Sequence, residues 1–111
     1  MSKKAVNIMP DTQHVLEKMG TNIRRARLRR NLNAESVAEQ AQISTDTLSS
    51  IEKGVSTVSI GAYAAVLAVL ELDNDLGLIA LDEEGKKQFW EQNLRRRERA
   101  SRRKSINHIE E

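Results

Sequence analysis

A short polar stretch between residues 44 and 53 carries the side chains best suited to bind another molecule. Its hydroxyl, carboxylate and ammonium groups donate or accept hydrogen bonds, and their spacing puts them on one side of a helix. The residues on this side are Thr45, Asp46, Ser49, Ser50 and Lys53. Because the major groove of DNA admits an α-helix that presents such groups, the stretch predicts a helix that contacts base edges.

Two short helices joined by a tight corner are predicted to position this polar face. The first covers about 34–41 and begins after Asn33, and the second covers about 45–53, with Ser44 as its N-cap and Gly54 at its end. The two helices share an apolar seam formed by Val37, Ala38, Ala41, Ile43, Leu48 and Ile51. Such a pair cannot bury its seam alone, so a larger helical domain must surround it.

Three further helices are expected around this corner. The first runs from Pro10 to about Arg30, and Gly20 inside it is a weak point that predicts a kink. Another follows Ser59, and a short last helix covers about 75–81. We therefore predict an all-α fold with a compact five-helix DNA-binding domain and a basic, helical C-terminal extension.

The composition divides the chain into three parts. Residues 1–9 are predicted to be a flexible N-terminal arm, residues 10–81 the helical domain, and residues 82–111 a charged C-terminal extension. A helix is expected over 86–104 because side chains of opposite charge lie four positions apart there. The few apolar residues of this stretch would not sustain it as an independent domain.

Charge is distributed unevenly, although the chain of 111 residues has a formal net charge of only +2. Residues 24–30 contain five arginines, and residues 71–84 contain six acidic residues and no basic one. Residues 86–104 contain nine basic and two acidic residues. Basic patches of this kind suit nucleic acid or an acidic protein partner, and they also occur as plain solvated surface.

Several classes of protein fit this composition poorly. There is no cysteine for a disulfide or a thiolate metal site, and His14 and His108 are the only histidines. No phosphate-binding glycine loop and no histidine–carboxylate cluster occurs, so we expect neither an enzyme nor a bound metal or cofactor. No apolar run reaches the roughly 18 residues of a membrane span, and the first residues are too polar for a secretory signal. A cytoplasmic protein without membrane contact is expected.

Residues 12–72 resemble the helix-turn-helix domain of lambda-repressor/Cro-type (XRE-like) regulators. The resemblance rests on four segments, which are I-R-R-A-R at 23–27, V-A-E-Q-A-Q-I-S at 37–44, T-L-S-S-I-E-K-G at 47–54 and S-I-G-A-Y-A-A-V-L-A-V-L at 59–70. The last helix of the tight corner is then the recognition helix. By resemblance, two copies would bind a pseudo-palindromic operator as a homodimer, with half-sites about 34 Å apart.

The resemblance also implies two sets of DNA contacts. The positions facing base edges are Thr45, Asp46, Thr47, Ser49 and Ser50, and those near phosphates are Asn33, Ser44, Lys53 and Arg24. For Asp46 the alternative is a purely structural role, because an acid in the first turn favours the helix dipole. For Asn33 and Ser44 the alternative is helix capping without any ligand.

Three further positions of the family pattern bear on the fold. The family pairs an arginine of its first helix with a glutamate near the end of its third, which implies an ion pair between Arg27 and Glu52. Gln42 and Glu71 stand where the family often has glycine, in a left-handed backbone conformation. A non-glycine residue there costs about 1 kcal/mol or slightly more.

Within this family the chain looks most like antitoxins paired with HipA-type kinase toxins. Such proteins repress their own operon and hold the kinase in a DNA-bound complex. A phage-type or stand-alone repressor is the first alternative, and a protein-interaction module that has kept the fold is the second. Candidate partner contacts are Phe89, Trp90, Arg95 and Arg99; the two aromatic residues could equally pack on the last helix of the domain.

Overall fold

The computed structural model describes the backbone of residues 6–110 and the side chains of residues 6–96. The helices are α1 (Pro10–Arg29), α2 (Ala34–Ala41), α3 (Thr45–Glu52), α4 (Ile60–Val69), a 3₁₀ helix (Asp73–Leu78) and α5 (Glu83–Glu110). No strand occurs in the described residues. The predicted all-α fold is confirmed.

The chain forms two compact units that divide between Gly77 and Leu78. The first unit contains α1 to α4 and most of the 3₁₀ helix, and the second contains α5. The predicted division between residues 81 and 82 lies close to this point. Asp82 stands immediately before α5, and its carboxylate accepts the backbone N–H of Gly85 at 2.9 Å.

The core of the first unit is aliphatic and rich in alanine. It is formed by Ile23 and Ala26 of α1, Val37, Ala38 and Ala41 of α2, Leu48 and Ile51 of α3, and Tyr63, Val66, Leu67 and Leu70 from α4 and its end. Small residues let the helices approach closely, so short helices can still bury a continuous seam. The predicted seam residue Ile43 is half-buried against this core.

Side-chain caps fix where three of the helices begin. Asn33, Ser44 and Ser59 accept the backbone N–H groups of Ser36, Thr47 and Ala62 at 2.7, 3.0 and 3.1 Å. Each cap satisfies a donor that the helix itself cannot, which is worth about 1 kcal/mol. These caps place the start of α3, and therefore its polar face, at a defined residue.

Four helices of the first unit end in the same way. A residue with positive φ is followed by a half-buried apolar residue whose N–H returns to the carbonyl five positions earlier. The pairs are Asn31–Leu32, Gln42–Ile43, Gly54–Val55 and Glu71–Leu72, with return hydrogen bonds of 3.2, 2.9, 3.0 and 2.8 Å. The expected left-handed conformation is observed at Gln42 (φ 60°) and Glu71 (φ 62°).

Two sequence-based expectations about elements were wrong. α1 continues from Pro10 to Arg29 through Gly20, because that glycine faces the core and serves a close contact described below. The short fifth helix is a 3₁₀ helix over Asp73–Leu78 rather than an α-helix over 75–81. It has no buried residue, and its Asp, Asn and Gly residues favour turns over an α-helix.

Candidate nucleic-acid interface

The outward face of α3 presents a set of short polar side chains to solvent. Thr45, Asp46 and Ser49 are exposed, and Ser50 is half-buried. Leu48 and Ile51, on the opposite side of the helix, are almost completely buried. The polar face is therefore held outward by the packing of the apolar face.

Thr47 differs from the other candidates for base contact. It is half-buried, and its hydroxyl oxygen lies 2.9 Å from the hydroxyl of Ser44. The same Ser44 oxygen also accepts the backbone N–H of Thr47. Both hydroxyls therefore take part in the helix cap, and the role of Thr47 in base contact stays a prediction.

A shallow groove between α1 and α3 brings the phosphate candidates Arg24 and Lys53 beside the polar face. The groove has a volume of about 320 Å³ and is lined by Arg24, Arg27, Ala34, Thr45, Ser49, Glu52 and Lys53. Since Arg27 and Glu52 neutralise each other, the net charge at the rim comes from Arg24 and Lys53. Two cations next to two hydroxyl groups form a surface that can bind a phosphate oxygen.

Arg27 and Glu52 form a two-pronged ion pair at the base of this groove. The Arg27 Nε–Glu52 Oε2 distance is 2.7 Å, and the Nη2–Oε1 distance is 3.0 Å. Arg27 Nη1 also donates to the carbonyl of Leu32 at 3.0 Å, which ties the α1–α2 turn to the pair. The hydrogen bonds that Arg27 donates to Glu52 raise the pKa of the guanidinium, so Arg27 stays protonated.

Two glycines let α1 touch the end of α3 with its backbone. A Cβ atom on Gly20 would lie 2.7 Å from the carbonyl oxygens of Ile51 and Glu52 and from the nitrogen of Gly54. A Cβ atom on Gly54, where φ is +73°, would clash with the carbonyl group of Leu16. No other residue type fits at either position without displacing main-chain atoms.

Two side chains that sequence reasoning missed hold the segment after α3. Gln13 Nε2 donates to the carbonyl of Gly54 at 3.0 Å, and the Tyr63 hydroxyl donates to the carbonyl of Val55 at 2.7 Å. Burial raises the pKa of the Tyr63 phenol. The close approach of α1 to the end of α3, in contrast, has a signal in the sequence. Gly20 lies three positions before Ile23 on the apolar stripe of α1, where a glycine indicates a close helix approach.

The remaining phosphate candidate, Asn33, is exposed at the start of α2. Its side-chain oxygen is used by the cap on Ser36, so its NH₂ group is the part that could contact a ligand. The backbone N–H groups of the first turn of α2 lie in the same region. The structure thus places Asn33 at a helix terminus suited to anions.

The candidate partner contacts lie on α5. The rings of Phe89 and Trp90 pack edge to face with centroids 5.6 Å apart, and Trp90 remains 58% exposed. Arg95 is exposed, and the side chain of Arg99 lies outside the described residues. Phe89 is half-buried.

A second close contact between ionisable side chains lies on α1, away from the polar face of α3. His14 Nδ1 lies 2.9 Å from Glu17 Oε2, and both side chains are largely in solvent. Within residues 6–110, no group of three or more potential ligands is placed to hold a metal ion. Over the same range, no helix combines the length and apolar character that a membrane crossing requires.

Comparison with known proteins agrees with this geometry. A family model described as a helix-turn-helix domain matches residues 18–76, which is more than half of the chain. No curated protein matches the chain. The matched range contains most of α1, the tight corner of α2 and α3, and all of α4. The chain therefore belongs to the helix-turn-helix family and is a DNA-binding regulator.

Proposed function

We propose that this protein is a sequence-specific transcriptional repressor that binds a two-fold operator as a homodimer. The observation that carries the proposal is the polar face of α3, which is exposed beside Arg24 and Lys53 in one groove. Groups that can contact bases and groups that can contact phosphates then lie on one surface. We also propose that the protein acts by binding and has no catalytic activity.

The chemistry of this face supports a particular kind of specificity. The side chains of α3 that face outward, Thr45, Asp46, Ser49 and Ser50, are short, and none of them is Arg, Lys, Asn or Gln, the types that make two-pronged contacts with guanine or adenine. Thr45 can offer a methyl group to thymine, and Asp46 can accept from cytosine N4. Few base contacts imply that DNA shape and half-site spacing supply much of the selectivity.

The homodimer follows from the size of one recognition helix. An eight-residue α3 reaches only a few base pairs, which is too little for a unique site. Two copies related by a two-fold axis double the contacts and add a spacing requirement of about 34 Å.

Selection from a random DNA library tests the proposal directly. Purified full-length protein is expected to enrich duplexes with two inverted half-sites centred about one helical turn apart. A reporter gene behind the enriched site should then be repressed in cells that contain the protein. Enrichment of no consensus, or of a single unpaired half-site, would contradict the proposal.

A narrower role as the antitoxin of a HipA-type kinase toxin rests on the resemblance of the chain to such antitoxins. In that role the exposed Trp90 and its neighbour Phe89 are the candidate contacts with the kinase, together with Arg95 and Arg99. Co-expression with a kinase-like protein encoded by a neighbouring gene should yield a stable complex, and Trp90→Ala should weaken it. If the protein represses its operator but copurifies with no kinase, the stand-alone or phage-type repressor is the better description. If it forms a complex with the kinase but does not bind an operator, the protein is an interaction module that has kept the fold.

A further inference from the structure

The C-terminal helix contains a dense basic block over residues 95–104. Seven of these ten residues are Arg or Lys and one is Glu98, which gives the block a net charge of +6. The backbone of the whole block lies within α5, which runs without a break from Glu83 to Glu110. Arg95 and Arg96, at its start, are exposed.

The basic positions do not form a single face. Each residue of an α-helix is rotated by about 100° from the one before it, so these seven positions span roughly 220° of the helix circumference. Ala100 is the only apolar residue in the block, so the block has no apolar stripe. The block itself contains no aromatic or large aliphatic anchor of the kind that protein interfaces bury; the nearest such residues, Phe89, Trp90 and Leu94, lie before it.

Like charges within the block also repel one another. Arg95 and Arg99, and Arg99 and Arg103, are pairs of like charge four positions apart. Each such pair destabilises a helix by about 0.2–0.5 kcal/mol, and the acidic residues placed to offset them are Glu91, four positions before Arg95, and Glu98, four positions before Arg102. An array of negative charges lying along the helix would relieve this repulsion.

We infer that residues 95–104 bind the phosphate backbone of duplex DNA, as a contact separate from the polar face of α3. The inference rests on the proposed function in one respect, namely that the first unit brings the chain to duplex DNA. Because both units belong to one chain, the second contact forms at a high effective concentration. It adds affinity and salt dependence without reading sequence.

The test uses full-length protein and a random-sequence duplex, so that it requires no operator. The variant R95Q/R96Q/R97Q/R99Q removes four charges, and Gln keeps a helix propensity close to that of Arg. Each phosphate contact contributes about 0.9 to the slope of log affinity against log salt, so we expect the slope to become shallower by roughly 3–4. The matched variant R95K/R96K/R97K/R99K keeps the charges and should keep the slope.

Two results would overturn the inference. One is an unchanged slope in the glutamine variant when circular dichroism shows the same helix content as in the parent protein. The other is tighter binding of the parent to single-stranded RNA than to the duplex, with the glutamine variant losing only the RNA binding.

The two proposals fail separately. If the protein enriches no operator but the glutamine variant still flattens the salt slope on random DNA, the repressor proposal fails and the basic block remains assigned. If it enriches an operator and the slope is unaffected, the basic block loses its assignment and the repressor proposal stands.

Discussion

Arg27 of α1 and Glu52 of α3 contact each other through two parallel hydrogen bonds, of 2.7 and 3.0 Å, with both side chains about nine-tenths buried. They lie 25 residues apart in the chain, and Glu52 is the last residue of the helix that presents the polar face. The pair therefore fixes the end of α3 to α1.

Removal of the arginine should destabilise the fold strongly. Arg27→Ala leaves the Glu52 carboxylate buried without its partner, so the free energy of unfolding should fall by about 3–5 kcal/mol. Arg25→Ala is the matched control, because Arg25 is exposed on the same helix and should change stability by less than about 0.5 kcal/mol. Thermal melting followed by circular dichroism compares the two, and equal melting temperatures would refute the role of the pair.

Gly20→Ala should destabilise the protein even though alanine is the better helix former. The new Cβ would lie within 2.7 Å of three backbone atoms of the α3 end, and overpacking of this kind costs about 1–3 kcal/mol. Gly61→Ala in α4 is the control, because its nearest neighbour would be 3.8 Å away and the helix propensity should then stabilise the protein. Denaturant unfolding should show shifts of opposite sign, and shifts of the same sign would exclude the close contact.

Gln42→Gly should stabilise the protein. Gln42 has φ 60°, which an L-residue adopts at a cost of about 1–2 kcal/mol, whereas glycine adopts it freely at some cost in chain entropy. The expected net gain is roughly 0.5–1 kcal/mol. Glu39→Gly, in the interior of α2, should instead lower stability by about 1 kcal/mol. A loss of stability in both variants would contradict the argument.

Substitutions on the polar face should weaken operator binding and leave the fold intact. Thr45→Ala combined with Ser50→Ala removes two hydroxyl groups that are placed to contact DNA, and a good base contact is worth about 1–3 kcal/mol. A loss of tenfold or more in a gel-shift titration is expected. The control is Thr12→Ala with Thr21→Ala, two exposed hydroxyls on α1. Unchanged affinity in the α3 variant would remove these residues from the interface.

The single tyrosine should titrate above its ordinary range. Burial raises the pKa of Tyr63 above 10, and the phenolate absorbance of the folded protein should therefore appear at higher pH than in denaturant. The folded state holds this proton more tightly than the unfolded state, so stability is present below pH 10 and falls as the pH rises through the folded pKa. Tyr63→Phe should lose this pH dependence, and it leaves the Val55 carbonyl without its donor. Coincident titrations in the folded and unfolded states would contradict the prediction.

The local signals in the sequence were sufficient for most of the fold. Asn33, Ser44 and Ser59 marked the starts of three helices because capping depends only on a side chain and the next turn. The left-handed backbone at Gln42 and Glu71 could be expected from the family pattern, because the family often has glycine at both positions. These features involve neighbours in the chain, which a sequence displays directly.

The features that a sequence does not display depend on distant contacts. Gly20 suggested a kink from propensity alone, but its environment is set by the end of α3, more than 30 residues away. The position of Arg24 beside Lys53 likewise depends on how α1 crosses α3. The roles of the α3 residues in reading DNA stay predictions, which rest on the types of these residues and on their exposure.

The contact between Gly20 and Gly54 has a consequence for how this protein could change its target. Main-chain atoms on both sides set the position of α3, so the orientation of the helix does not depend on the side chains that it presents outward. Substitutions at Thr45, Asp46 or Ser49 can then alter which DNA is preferred while the scaffold keeps its shape. New specificities are accessible through single exposed residues, whereas each of the two glycines tolerates almost no change.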